Sequence, residues 1–159
     1  MSVELKTCLW YDTDAEEAAN FYVSLLPGSR ITAIRRYTRS GPMAEGTVLV
    51  VDFELAGRPF MALNGGPHTT FNDSHSVMVT VDTQEEVDRL WDGLMAGGGE
   101  PIACGWLKDR YGLRWQIVPA RFMELIGDPD PEKADRTMAA MMGMVKLDIA
   151  ALEAAARGE

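Results

Sequence analysis

Cysteine, histidine and basic residues are scarce in this sequence of 159 residues, which has two Cys, two His and 15 Lys and Arg against 24 Asp and Glu. Cys8 and Cys104 lie far apart in strand-like sequence without C-x-x-C spacing. This favours two reduced, buried thiols over a disulfide or a zinc site. A net charge of −9 repels phosphate backbones. We therefore interpret the short basic run at 30–39 as a solvated strand edge and expect no nucleic-acid partner.

Long apolar runs are also missing. No stretch approaches the roughly 18 residues that span a bilayer, and "MSVELKTCLWYD" lacks the regions of a signal peptide. These absences predict a cytoplasmic protein with no membrane partner. With 47% hydrophobic and 25% charged residues, we expect residues 1–159 to fold throughout as a single domain.

A faint internal repeat organises the chain. "KTCLWYDT" at 6–13 and "SVMVTVDT" at 76–83 are alternating strands that end in Asp-Thr and lead into helices. Two capping boxes are predicted at the helix starts, Thr13 with Glu16 and Thr83 with Glu86. The helices stop at "PG" and "GGG". The shared spacing indicates a duplicated unit.

Strands alone follow each predicted helix. In the first copy, Ala56-Gly57 forms a tight hairpin, and in the second, "DRYG" provides a turn at Gly112. Within "LRWQIVP" the apolar Leu113 and Trp115 alternate with polar residues, so Gln116 is an unexpected amide in a buried strand. The predicted strands are 30–38, 47–55 and 58–63 in the first copy, and 101–107 and 113–118 in the second. This order predicts an α+β fold.

The C-terminal tail, 121–159, reads as helical. Asp130 and Asp148 are predicted N-caps, Pro131 occupies a first helical position, and Gly143 is a stop. One apolar stripe is expected to form core or a subunit interface. Its members are Ala134, Met138, Met141, Met142 and Val145.

Several long stretches together resemble the PhnB-like group of the vicinal oxygen chelate (glyoxalase/bleomycin-resistance) superfamily, which is also labelled 3-demethylubiquinone-9 3-methyltransferase-like. They are "AEEAANFYVSLLPGSRI", "FELAGRPFMALNGGPH", "TQEEVDRLWDGL", "CGWLKDRYGLRWQIVP" and "IGDPDPEKADRTMAAMMGM". The resemblance implies two βαβββ modules, 1–67 and a shorter 72–120, whose curved sheets face a shared pocket. It also implies a homodimer.

Metal-using members of this superfamily place His and Glu ligands on the first and last strands of both modules. The corresponding positions here are Thr7 or Lys6, Asn64, Ser76 and Gln116, none of which is His, Asp or Glu. Such neutral donors bind divalent first-row metals weakly. The resemblance therefore implies a pocket without a metal or other cofactor, with Gln116 at a former ligand position.

A small-molecule ligand is the expected partner of this pocket. An aromatic wall with a few amides suits an uncharged or aromatic molecule. The residues expected to line it are Trp10, Asn64, Ser76, Met78, Trp106 and Gln116.

Two other classes of function stay open. One is an enzyme: a metal-dependent lyase or dioxygenase with a rearranged site using His68, His75 and a carboxylate such as Asp109, or Asp73, or else a methyltransferase, as the family label suggests. No G-x-G-x-x-G stands between a strand and a helix to support nucleotide-type binding of S-adenosylmethionine. The other is a subunit or scaffold that acts through its Met-rich tail.

Overall fold

The structure, a computed structural model, describes residues 2–159. The chain divides into two compact units, one ending at Thr70 and the other beginning at Phe71. No helix within 2–159 has the length and apolar character needed to cross a membrane.

The first unit is a four-stranded sheet with one helix. Its sheet order is β1-β4-β3-β2, in which β1 runs parallel to β4 and the other neighbours are antiparallel. The predicted hairpin is confirmed, because Ala56 and Gly57 have φ of +48° and +79° between two paired strands. The elements are β1 (Thr7–Tyr11), α1 (Ala15–Leu25), β2 (Arg30–Arg36), β3 (Val48–Leu55) and β4 (Arg58–Asn64).

The second unit repeats this topology. Its sheet order is β5-β8-β7-β6, in which β5 runs parallel to β8 and the other neighbours are antiparallel. Since both units have the order βαβββ, the predicted α+β fold with a duplicated module is confirmed. The elements are β5 (Val77–Val81), α2 (Gln84–Met95), β6 (Glu100–Pro101), β7 (Trp106–Lys108) and β8 (Arg114–Pro119).

Strand β8 shows how the sheet of the second unit divides into two faces. Leu113, just before the strand, and Trp115 and Ile117 within it are fully buried, whereas the alternating Arg114 and Gln116 are half-buried. Side chains two residues apart point to the same face of a strand, so the first set belongs to the core and the second to the opposite face. The predicted alternation is confirmed.

Three helices complete the second unit: α3 (Ala120–Ile126), α4 (Pro131–Met142) and α5 (Ile149–Arg157). Asp130 and Asp148 accept hydrogen bonds from backbone N–H groups at their helix starts, as predicted. Helix α3 lies in the tail that was predicted to be helical, but it was not predicted as a separate helix, because it follows β8 directly and has no capping side chain. The helices pack on the end of β8 through Val118, Phe122, Leu125, Leu147, Leu152 and Ala156.

The two predicted capping boxes have different outcomes. Thr83 and Glu86 form the predicted box at the start of α2. The box at Thr13 is wrong, since Asp14 is the N-cap of α1 and makes no side-chain capping bond. Instead, the Asn64 side chain accepts a hydrogen bond from the backbone N–H of Ala15 at 2.8 Å. A residue from β4 thus replaces the local cap.

The predicted strand 101–107 is also wrong, because a turn divides it into β6 and β7. Cys104 and Gly105 have φ of +56° and +83°. Such positive φ values interrupt an extended strand. The backbone N–H groups of Cys104 and Gly105 donate to the carbonyls of Met144 and Val145, both at 2.8 Å. The tail therefore takes hydrogen bonds that a continuous strand would have given to the sheet.

The predicted burial of the two cysteines needs correction. The cysteines are free, but Cys8 is exposed and Cys104 is half-buried, so neither is a core thiol. In the tail stripe, which was predicted to form core or a subunit interface, Met138, Met142 and Val145 are exposed in the single chain. They face away from the cluster that holds the three C-terminal helices together.

Candidate functional site

Three of the predicted site residues form one row across the sheet of the second unit. Gln116 on β8 lies opposite Met78 on β5 and opposite Trp106 on β7. Directly paired residues point to the same face of a sheet. Met78 is 46% exposed, while Trp106 and Gln116 are half-buried. An amide is thus held between a thioether and an indole on a partly open face.

A fourth predicted residue, Ser76, is hydrogen-bonded to Gln116 of this row. The Gln116 Nε2 donates to the Ser76 Oγ at 2.7 Å. Within residues 2–159, neither the Gln116 Oε1 nor the Ser76 hydroxyl hydrogen has another protein partner in the structure. Neither side chain is left with a buried polar atom lacking a hydrogen bond. The Gln116 Oε1, which has no protein partner among the described residues, therefore reaches solvent. We call Ser76, Met78, Trp106 and Gln116 the amide row.

The cations next to the amide row are already neutralised. Arg114 and Lys108 are the adjacent cross-strand pair on the same face. The Arg114 Nε lies 2.6 Å from the Asp73 Oδ1, and the same guanidinium donates to the carbonyls of Phe71 and Gly112. Lys108 pairs with Glu100 at 2.8 Å. Because each charge has a carboxylate partner, the row is a poor site for an anion.

Trp10 lies on the first unit and is fixed by the loop after β4. Its indole Nε1 donates to the carbonyl of Gly66 at 2.9 Å. A Cβ built on Gly65 would lie only 2.2 Å from the indole, so only glycine allows this close approach. The His68 ring meets Trp10 edge-on at 6.4 Å. Trp10 is half-buried, and whether it contacts a ligand stays a prediction.

Asn64 holds the backbone of the first unit in place. It is 5% exposed, its Oδ1 accepts from Ala15, and its Nδ2 donates to the carbonyl of Val48 at 3.0 Å. Its position also differs from that of Gln116. Cys8 pairs with Met61 as Met78 pairs with Gln116, so Met61 is the counterpart of Gln116 in the repeat. We therefore leave Asn64 out of the amide row.

A charged cluster on the first unit was missed by sequence reasoning. Asp52 in the middle of β3 is 5% exposed and accepts hydrogen bonds from Arg35 and from Lys6. Burial acts to raise the pKa of Asp52, but these bonds outweigh it and hold the pKa below its ordinary value. The signal was available, because Asp52 interrupts the apolar sequence "VLVVDFEL" in the way that Gln116 interrupts β8.

The donor set does not fit a divalent metal. Lys6, Thr7, Ser76 and Gln116 supply no imidazole or carboxylate at the positions that the resemblance assigns to ligands. Across residues 2–159, no group of three or more His, Cys, Asp and Glu side chains is arranged to hold a metal ion. We therefore derive no chemistry through a metal.

The rearranged site built on Asp109 has no geometric support. Asp109 is 1% exposed and its carboxylate accepts from the backbone N–H groups of Tyr111 and Leu113 and from the indole of Trp115 at 2.9 Å. These bonds occupy both carboxylate oxygens in organising the turn before β8. His68 and His75 are exposed on loops.

Comparison with known proteins agrees with the repeated βαβββ order. Residues 3–118 match the family model described as 3-demethylubiquinone-9 3-methyltransferase. Among solved structures, a PhnB protein from Bacillus cereus is 37% identical, with a TM-score of 0.67 over 74% of this chain and 100% of that chain.

More distant structures share the fold. A protein from Pseudomonas aeruginosa is 21% identical, with a TM-score of 0.61 over 74% of this chain and 98% of its own. The fosfomycin resistance protein FosX from Listeria monocytogenes is 13% identical, with a TM-score of 0.50 over 76% of this chain and 94% of its own. A search of curated proteins gave no match. The chain therefore belongs to the 3-demethylubiquinone-9 3-methyltransferase family, as a PhnB-like member of the vicinal oxygen chelate superfamily.

Proposed function

We propose that this protein binds an uncharged small molecule, without a metal, on the amide row of the second unit. The observation that carries the proposal is the Gln116–Ser76 hydrogen bond of 2.7 Å, set in a row with Met78 and Trp106. A ligand site typically combines apolar walls with a few fixed polar groups. Here the thioether and the indole offer apolar area, and the serine hydroxyl restricts the orientation of the amide.

Charge supports a neutral ligand over an ionic one. The nearby Arg114 and Lys108 each have a carboxylate partner, so an anionic ligand would have to displace Asp73 or Glu100. A cationic ligand would likewise have to displace Arg114 or Lys108 from these carboxylates. Neutral molecules avoid both costs, because they bring no charge that must be desolvated.

Ligand-observed NMR with a panel of neutral aromatic fragments tests this function. We expect binding signals that are lost on Gln116→Leu and on Trp106→Ala. The matched control is Gln84→Leu, which removes the other glutamine of the chain. Gln84 joins α2 to the tail through Leu147 and Ile149, so its loss lowers stability and leaves the row intact. Fragment binding that survives both row variants refutes the proposal.

Methyl transfer is the second candidate, because the matched family model carries that description. The activity requires S-adenosylmethionine. Calorimetric titration of the whole chain with S-adenosylmethionine separates the candidates: measurable binding favours methyl transfer, whereas the binding function predicts none up to millimolar concentration. Such binding would also be unexpected for sheets that are not doubly wound.

We further propose that the chain forms a homodimer through α4. Met138 and Met142 are one turn apart on this helix and are 40% and 65% exposed. Exposed thioethers at helical spacing are typical of a surface that packs against a partner. This proposal is independent of the ligand.

A further inference from the structure

The amide row presents a hydrogen-bond donor and an acceptor side by side. In the structure, the Gln116 Nε2 donates to the Ser76 Oγ, which leaves the Gln116 Oε1 as an acceptor and the Ser76 hydroxyl hydrogen as a donor. If the amide is turned over, the serine donates to the Oε1, and the free NH₂ becomes the donor beside the serine lone pair. In either orientation, at least one donor and one acceptor remain available.

A neutral ligand satisfies such a pair best with an acceptor and a donor on neighbouring atoms. A lactam or cis-amide edge has this arrangement, with a carbonyl oxygen next to an N–H. A carboxylate offers only acceptors, and an ether or ester offers no donor. Leaving either protein group unpaired under a bound ligand would lose the hydrogen bond that it makes to water.

The neighbours of the pair select a flat ligand. Trp106 lies directly across β8 from Gln116 on one side, and Met78 lies across on the other. An indole favours a planar π-system in offset-stacked or edge contact, and a thioether packs well on an aromatic ring. The two side chains therefore bracket the hydrogen-bonding pair with surfaces suited to an aromatic ring.

From these observations we infer that the ligand class is a planar, uncharged aromatic lactam or cyclic amide, whose N–H and C=O pair with Gln116 and Ser76 while its ring packs on Trp106 and Met78. This inference rests on the proposed function and goes beyond it by naming the chemical group recognised.

Three matched probes test the inference on the whole chain: 2-quinolinone, 1-methyl-2-quinolinone and 2-methoxyquinoline. They have nearly the same ring area, but the second lacks the donor and the third lacks the lactam. We expect 2-quinolinone to bind most tightly by NMR titration. Each methylated probe should bind about tenfold more weakly, the effect of losing one or two neutral hydrogen bonds.

Variants test whether the preference for 2-quinolinone depends on Gln116 and Ser76. Ser76→Ala should weaken 2-quinolinone binding about fivefold and narrow its advantage over 1-methyl-2-quinolinone. Ser74→Ala is the matched control, because Ser74 bonds to Asn72 in an exposed turn. Gln116→Met should abolish the preference while keeping apolar bulk, and it serves as a second variant should Gln116→Leu fold poorly.

The outcomes separate this inference from the proposed function. Equal binding of the three probes, or no binding of 2-quinolinone, overturns the lactam class. If other neutral fragments bind to the native chain and lose that binding on Gln116→Leu and Trp106→Ala, the proposed function stands without the lactam inference. If no neutral fragment binds in a way that depends on Gln116 and Trp106, both the proposed function and the lactam inference are wrong.

Discussion

Single polar residues interrupt apolar strands in both sheets. Gln116 interrupts β8 and bonds to Ser76, and Asp52 interrupts β3 and bonds to Arg35 and Lys6. Their roles differ because of their partners. The amide retains groups that reach solvent, whereas the buried carboxylate is held by two cations. We therefore assign ligand recognition to Gln116 and stabilisation of the first unit to Asp52.

Asp52→Asn tests the stabilising role. Because the folded-state pKa of Asp52 lies below its ordinary, unfolded-state value, its contribution to stability is fully present above that unfolded value. It is lost as pH falls through the folded pKa. We expect a loss of about 2 kcal/mol in the free energy of unfolding at pH 7, the scale of a hydrogen bond to a charged group. At pH values below the folded pKa, the loss should shrink towards zero.

Urea denaturation over a series of pH values measures this difference. Glu54→Gln is the matched control, because Glu54 lies on the same strand and pairs with a mostly exposed Arg30. Its effect should stay below about 0.5 kcal/mol at every pH. A pH-independent loss in Asp52→Asn would contradict an electrostatic role and indicate a packing defect instead.

At the scale of elements, α1 and α2 both follow an Asp-Thr sequence, but their N-termini are stabilised in different ways. Thr83 caps α2 within its own sequence. Helix α1 instead takes its acceptor from Asn64, in the strand that pairs with β1. The duplicated unit therefore conserves the arrangement of strand and helix while the N-terminal cap of the helix changes.

Three substitutions distinguish these caps. Thr83→Ala should cost about 1 kcal/mol, the usual value of an N-cap side chain. Thr13→Ala should cost less than about 0.5 kcal/mol, because Thr13 does not cap α1. Asn64→Ala should cost about 2–3 kcal/mol, since it leaves the Ala15 N–H and the Val48 carbonyl without this partner.

Thermal and urea unfolding of the three variants check this order. A loss for Thr13→Ala equal to that for Thr83→Ala would show that the local box forms in both helices. Asn64→Asp adds a further check, because it keeps the acceptor for Ala15 and removes the donor to Val48.

At the scale of the whole molecule, the C-terminal helices belong to the core of the second unit. Leu147 and Leu152 are almost fully buried against Val118 of β8 and Phe122 of α3. Removing residues 131–159 would uncover this cluster and destabilise the second unit. Such a deletion cannot separate an interface role from a folding role, so the dimer proposal needs surface substitutions.

The double variant Met138→Lys with Met142→Lys tests the proposed dimer. Both positions are exposed in the single chain, so the monomer should fold normally. Burying two ammonium groups in an interface should raise the dimer Kd by about 100-fold or more. Light scattering after size-exclusion chromatography should show a dimer for the native chain and a monomer for the variant.

Met123→Lys is the matched control for the double variant. Met123 is 45% exposed on α3 and lies outside the tail stripe. This variant should remain dimeric. A monomeric native chain, or a double variant that stays dimeric, would rule out α4 as the interface.

Local pattern was enough to determine most of the elements. The period of two in β8 and the caps at Asp130 and Asp148 depend on residues within a few positions of each other, so they can be read from the sequence alone. The repeat likewise predicted the order of both units. The bounds of helix α3 and the turn at Cys104 were not predicted, because their signals are weak locally and the turn depends on hydrogen bonds to Met144 and Val145.

The tertiary structure alone decided which polar residues share partners. Asn64 reaches Ala15 across 49 positions, Gln116 reaches Ser76 across 40, and Asp52 meets Lys6 across 46. Strand register determines which of these side chains come into contact, because a shift of one residue turns a side chain to the opposite face of the sheet. The sequence by itself therefore determined that unusual polar residues interrupt the strands. Pairing between distant strands decided that one of them caps a helix, one stabilises the sheet and one remains available to a ligand.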